Sequence, residues 1–103
     1  MPELLKQFQK MMNSWLVYLV RCGDNSLYCG ITNNLEKRIA IHNKGKGAKY
    51  TRPRQPVVLQ VVSRAMSMSE ALKLEYKVKQ QKKKLKVDYL KEFIDVEDEK
   101  CPI

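Results

Sequence analysis

Residues 15–32, WLVYLVRCGDNSLYCGIT, leave this chain few folds to choose from. Two runs rich in Val, Ile, Leu, Tyr and Trp flank Gly23-Asp24-Asn25-Ser26, which predicts a strand, a tight loop and a second strand: a β-hairpin. The first run is apolar on both faces, with Trp15, Val17 and Leu19 on one and Leu16, Tyr18 and Val20 on the other. It therefore needs cover on both sides and cannot be a bare edge. Taken alone, strand tyrosines such as Tyr18 and Tyr28 read as core residues with a satisfied hydroxyl.

Opposed residue numbers in an antiparallel hairpin have a constant sum, and opposed residues share a face. If Cys22 faces Leu27 across a four-residue loop, Tyr18 and Tyr28 point to opposite faces. If Cys22 faces Ser26 across Gly23-Asp24-Asn25, Tyr28 opposes Val20 and both tyrosines share one face. A three-residue loop with Asn25 in the left-handed region supplies the second arrangement, and a bulge near Cys29-Gly30 would restore the same phase. The expectation is a shared face.

A chain of 103 residues, 44% of them hydrophobic, builds one domain with a single modest core. No run approaches the ~20 apolar residues that cross a bilayer, and the N-terminus lacks an apolar signal region, so a cytoplasmic protein without membrane association is expected. The three cysteines show no Cys-x-x-Cys spacing and read as free thiols of a reducing compartment. The net charge of +9 is segregated. Residues 33–54 carry seven basic side chains against Glu36, residues 73–86 seven against Glu75, and residues 88–100 six acids against two lysines. Two basic blocks around a sheet point to a polyanion, with nucleic acid the default, DNA ahead of RNA. For Lys82-Lys83-Lys84 alone, a solvated helix face is the better reading.

Residues 1–12 place Leu4, Leu5, Phe8, Met11 and Met12 at helical spacing, a possible helix or an extension beyond the domain. Asn33, three residues before Glu36, starts a helix to about residue 43 in which Arg38 and His42 are surface neighbours. A lone histidine there is more often a structural hydrogen-bonder. Residues 44–56, KGKGAKYTRPRQP, have no periodicity and form a loop. Its glycines would let backbone approach a phosphate, while Lys44, Lys46, Lys49, Arg52 and Arg54 supply charge, making it the candidate gripping loop. Tyr50 would either stack on a base or anchor that loop. Residues 57–62 add a third strand, and Ser67 to Glu70 is a capping box opening a helix buried through Ala71, Leu74, Val78 and Leu85. Glu75 lies on the shoulder of that stripe, with Lys79, a further candidate nucleic-acid contact, one turn on. A last short helix is expected over 87–93, before an acidic tail. The fold class is α+β, a three-stranded, mainly antiparallel sheet flanked by helices, divided as 1–12, a domain over 13–86, and 87–103.

Val17-Tyr18-Leu19, Tyr28-Cys29-Gly30-Ile31-Thr32, Arg38 with His42, and Glu75, in that order, resemble the GIY-YIG nuclease domain, most closely its small single-domain bacterial members. The resemblance covers roughly residues 13–86. It departs at Val17, Leu19 and Cys29, which affects packing, and lacks an asparagine after Glu75, which bears on the metal or phosphate environment. It implies an endonuclease hydrolysing phosphodiester bonds, with Tyr18, Tyr28, Arg38, His42 and Glu75 at the site. Glu75 would hold one Mg²⁺ (or Mn²⁺), an ion content with one or two carboxylates and water. Arg38 would fork onto the phosphate. One tyrosine, Tyr18 by analogy, would take the proton of the attacking water. Holding a phenol of pKa ~10 ionised at pH ~7.5 costs ~3.4 kcal/mol, which the site must offset. This reading requires Arg38 and Glu75 over the face shared by the tyrosines, with both hydroxyls in one open cleft. Glu75 turned away from Arg38 would favour a rival, a nucleic-acid-binding module without turnover. A further rival is an interaction domain that delivers a protein partner.

Overall fold

The structure, a computed structural model, describes residues 14–94. The expected helix over 1–12 and the acidic tail from 95 onward lie outside the described residues. Strands β1 (Leu16–Arg21) and β2 (Leu27–Thr32) form the hairpin, paired so that Val20 opposes Tyr28 and Tyr18 opposes Gly30. The Cys22 N–H donates to the carbonyl of Ser26 at 2.8 Å, and Asn25 sits at φ 70°, closing the three-residue loop. Tyr18 and Tyr28 therefore share a face. Strand β3 (Val58–Val62) pairs antiparallel with the other edge of β1, giving the order β2-β1-β3. The register shifts between Leu19 and Val20, where Leu19 opposes Val61 and Val20 opposes Leu59, so Gln60 is the extra, bulged residue.

Both faces of β1 are covered. Val17, Leu19, Cys29 and Val61 meet Ala71, Leu74 and Val78 of α2 (Met68–Gln80) and Leu90 of α3 (Lys83–Lys91). Tyr18, Val20 and Cys22, with Val57, face the opposite way and are covered by Leu35 and Ile39 of α1 (Leu35–Asn43). The architecture is α+β, an antiparallel sheet between two helical layers.

Three sequence expectations need correction. The cap of α1 is Asn34, whose side chain accepts from the Lys37 N–H, and with lysine at that position no capping box closes. The Ser67–Glu70 box does form, but α2 stops at Gln80; Gln81 and Lys82 are extended, and α3 starts at Lys83, four residues ahead of the expected 87. Leu85 is consequently 45% exposed, outside the α2 stripe. The break turns α3 back against the sheet, where Leu90 is fully buried. No helix among the described residues is long and apolar enough to cross a membrane.

Candidate active site

Helix α1 lies across the tyrosine face and delivers His42 to it. Tyr18 and His42 are both fully buried, and the Tyr18 hydroxyl lies 2.9 Å from Nε2 of His42. Nδ1 of the same ring is 2.7 Å from Oγ1 of the buried Thr51. Oγ1 also contacts the Ala48 carbonyl at 3.0 Å, and a carbonyl only accepts. The single hydroxyl proton of Thr51 therefore goes to Ala48, Nδ1–H of His42 donates to Thr51, and Nε2 is left as acceptor of the Tyr18 proton. The chain Tyr18 to His42 to Thr51 to Ala48 is thus directional.

Glycines make room for it. A Cβ on Gly30 would lie 2.5 Å from the Tyr18 hydroxyl oxygen, and one on Gly47 would collide with the His42 ring. Gly45, at φ 76°, turns the chain out of α1. The loop glycines expected to admit a phosphate instead fit the chain around His42 and close a helix end.

Electrostatics follow from burial. Desolvation pushes the Tyr18 phenol up to about 12, against the opposing hydrogen bond and charge of Arg38 beside it. Burial, with Arg38 adding, lowers His42 below its ordinary value, so the ring is neutral at pH 7. Tyr28 is half-buried, its ring 6.4 Å from that of Tyr18 and 5.5 Å from that of His42. The expectation that both hydroxyls open into one cleft is corrected: Tyr18 is sealed, and Tyr28 is the phenol nearer solvent.

The loop after α1 is fastened at its far end to the hairpin tip. Arg54 Nε donates to Asp24 at 3.0 Å, its guanidinium donates to the Tyr50 carbonyl at 2.7 Å, and it lies 4.1 Å from the Tyr50 ring. Tyr50 stacks on Tyr28 at 6.0 Å, which favours its role as anchor. Arg52 donates to the Gly47 carbonyl at 3.2 Å. Asn43 clamps the loop exit, accepting from the Val57 N–H at 2.7 Å and donating to its carbonyl at 3.2 Å. Lys44, Lys46 and Lys49 remain exposed and unpaired with any described carboxylate.

Glu75 stands on α2. Its helix covers the Leu19–Cys29 face, opposite the tyrosines, and its carboxylate pairs with Lys79 at 3.2 Å. It acts on the buried Cys29 thiol, which burial first and this charge second push up to about 12. No hydrogen bond or ion pair joins Glu75 to Arg38 or to either tyrosine among the described residues. Nor does any cluster of three or more His, Cys, Asp or Glu there offer a ready metal cage. One carboxylate beside an edge strand fits only an ion that keeps most of its water, which is the habit of Mg²⁺. Sequence reasoning missed Thr51 and Gly47, whose only signal was proximity to His42.

The site is thus a hairpin that pairs two tyrosines under a helix carrying Arg38 and His42. The chain belongs to the GIY-YIG family: the sequence model described as the GIY-YIG catalytic domain matches residues 14–89. Among curated relatives, a UPF0213 protein of Staphylococcus haemolyticus is 51% identical over 76 residues, covering 74% of this chain and 93% of its own. A UPF0213 protein of Nitratidesulfovibrio vulgaris is 48% identical over 67 residues, 65% of this chain, and the match spans only 61% of that protein's length. The solution structure of protein EF2693 from E. faecalis aligns with a TM-score of 0.53 at 40% identity, covering 76% of this chain and 83% of that one.

Proposed function

We propose that this chain is a divalent-metal-dependent endonuclease that hydrolyses phosphodiester bonds in nucleic acid, DNA in preference to RNA, in cytoplasmic DNA repair or processing. The observation that carries the reading is the convergence of Tyr18, Tyr28, His42 and Arg38 on one sheet face. Arg38 supplies the cation for the phosphate, and a bound Mg²⁺ held by Glu75 would supply further charge stabilisation. Tyr28 is the phenol placed to meet the attacking water. Ionising Tyr18, at about 12, would cost about 6 kcal/mol at pH ~7.5, near twice the figure for an ordinary phenol. Tyr18 serves as base only by passing its proton to Nε2 of His42; otherwise it positions Tyr28 and Arg38.

One observation favours the second reading, a nucleic-acid-binding module without turnover: the helix that carries Glu75 packs on the face opposite the tyrosines, and its carboxylate is engaged by Lys79. A panel of labelled duplex, flap, junction and single-stranded substrates with Mg²⁺ or Mn²⁺ separates the two. Cleavage lost in EDTA and in Glu75→Ala, with binding retained, and slowed about 100-fold or more in Tyr28→Phe, supports the nuclease. Tight binding with no cleavage of any substrate establishes the module instead, and cleavage that persists in Glu75→Ala refutes the metal assignment.

A further inference from the structure

The break at Gln81 and Lys82 has a second effect: it gathers Lys82, Lys83 and Lys84 opposite Arg21 at the end of β1. Together they rim an open groove of about 520 Å³ floored by Leu27 and Val87. No described carboxylate pairs with any of these cations, because the two ion pairs among the described residues are Arg54–Asp24 and Lys79–Glu75. The lysines also sit at the N-terminal end of α3, which has no acidic residue in its first turn and no side-chain cap. Cations are disfavoured at that end of a helix, so the arrangement concentrates positive charge at a cost to the helix. Leu27, in the floor, directly precedes Tyr28 in the edge strand β2 and points to the opposite face. The groove and the tyrosine site are thus back to back around one strand.

We propose that this groove grips a second stretch of the same nucleic-acid backbone that enters the tyrosine site, phosphates on the lysines and Arg21, sugar faces on Leu27 and Val87. The inference rests on the nucleic-acid reading above and adds a second grip to it. A strand bent around the β2 edge reaches both sites.

The test is binding in EDTA, where turnover plays no part, of a labelled single strand of about 20 nucleotides across a salt series. Two variants, each lacking three cations, are compared with the parent: Arg21→Ala/Lys82→Ala/Lys83→Ala, and a control, Lys73→Ala/Lys77→Ala/Lys91→Ala, which removes exposed lysines outside the groove. The groove variant is expected to bind at least about tenfold more weakly at ~0.15 M salt and to flatten the salt slope by up to ~0.7 for each phosphate no longer neutralised, with the control near parent. Equal losses in both variants mean bulk charge only, and no loss in the groove variant overturns the proposal while the nuclease reading stands. A parent that binds no nucleic acid overturns both. A poly-glutamate peptide that outcompetes the oligonucleotide only in chains with an intact groove would assign the groove to an acidic protein partner, and also overturns the proposal. Loss confined to the groove variant in a protein that never cleaves upholds the groove and refutes the nuclease.

Discussion

Replacing Thr51 by valine removes one oxygen and little volume from a fully buried position. Nδ1–H of His42 then has no acceptor, since the only partner of that nitrogen among the described residues is the Thr51 hydroxyl at 2.7 Å. Leaving a buried donor unsatisfied costs about 1–3 kcal/mol, and in a domain of this size each kcal/mol moves the melting temperature by roughly 4–8 °C. The ring has one escape, which is to move its proton to Nε2. That exchanges one fault for another, because the Tyr18 O–H would then face an N–H at 2.9 Å and lose its acceptor. The chain holds a single histidine, so long-range ¹H–¹⁵N spectra report its tautomer without ambiguity. The parent should show Nδ1–H. Thr51→Val should melt lower by roughly 5–20 °C or change tautomer, and Thr51→Ser should restore both properties. A valine variant that melts within a degree or two of the parent and keeps Nδ1–H would refute the directional chain.

Gly30→Ala forces its Cβ against the Tyr18 hydroxyl, 2.5 Å away, and should cost about 1–3 kcal/mol in urea unfolding; a neutral result would mean that Tyr18 is free to move. Tyr18 and Cys29 are both raised to about 12 by burial, so their contribution to stability is complete below the unfolded values, 10.0 and 9.0, and is lost as pH climbs toward 12. Urea midpoints should therefore fall between about pH 9 and 11, and a flat profile there would contradict the burial of these groups. Lys46→Ala/Lys49→Ala should flatten the salt slope of duplex binding by up to ~0.9 per phosphate without lowering stability, whereas Arg54→Ala should destabilise the loop held by Asp24 and Tyr50. Equal effects of the two on stability would undo that division of labour.

What the sequence told and withheld follows from range. The hairpin register was legible because it is local: a three-residue loop and one left-handed Asn25 fix the parity of every pair up to Thr32. The buried stripe of α2 was legible through Val78 for the same reason. A helical phase, however, says which side of a helix is buried and not which face of the sheet buries it. Since β1 is apolar on both faces, it accepts a helix on either, and the choice is made by the long connection in which Ser63 bonds Val17 and Met66 bonds Trp15. That connection puts Glu75 on the layer away from Arg38, even though its place on the shoulder of the stripe follows from spacing alone. Thr51 and Gly47 belong to a loop with no period at all, so only the folded chain brings them to His42. The three lysines at 82–84 mark the same boundary from the other side. As a run they are indistinguishable from any solvated helix face, and they acquire a partner in Arg21 solely because the chain breaks at Gln81 and Lys82, where neither glycine nor proline announces a turn. After the break Leu90 is the residue of α3 that is fully buried against the sheet, so loosening that burial should move the lysines too. Leu90→Ala, expected to cost about 2–5 kcal/mol, should therefore loosen α3 and weaken binding of the single strand with no charge removed. Unchanged binding in a Leu90→Ala protein of correspondingly reduced stability would separate the groove from the packing that builds it.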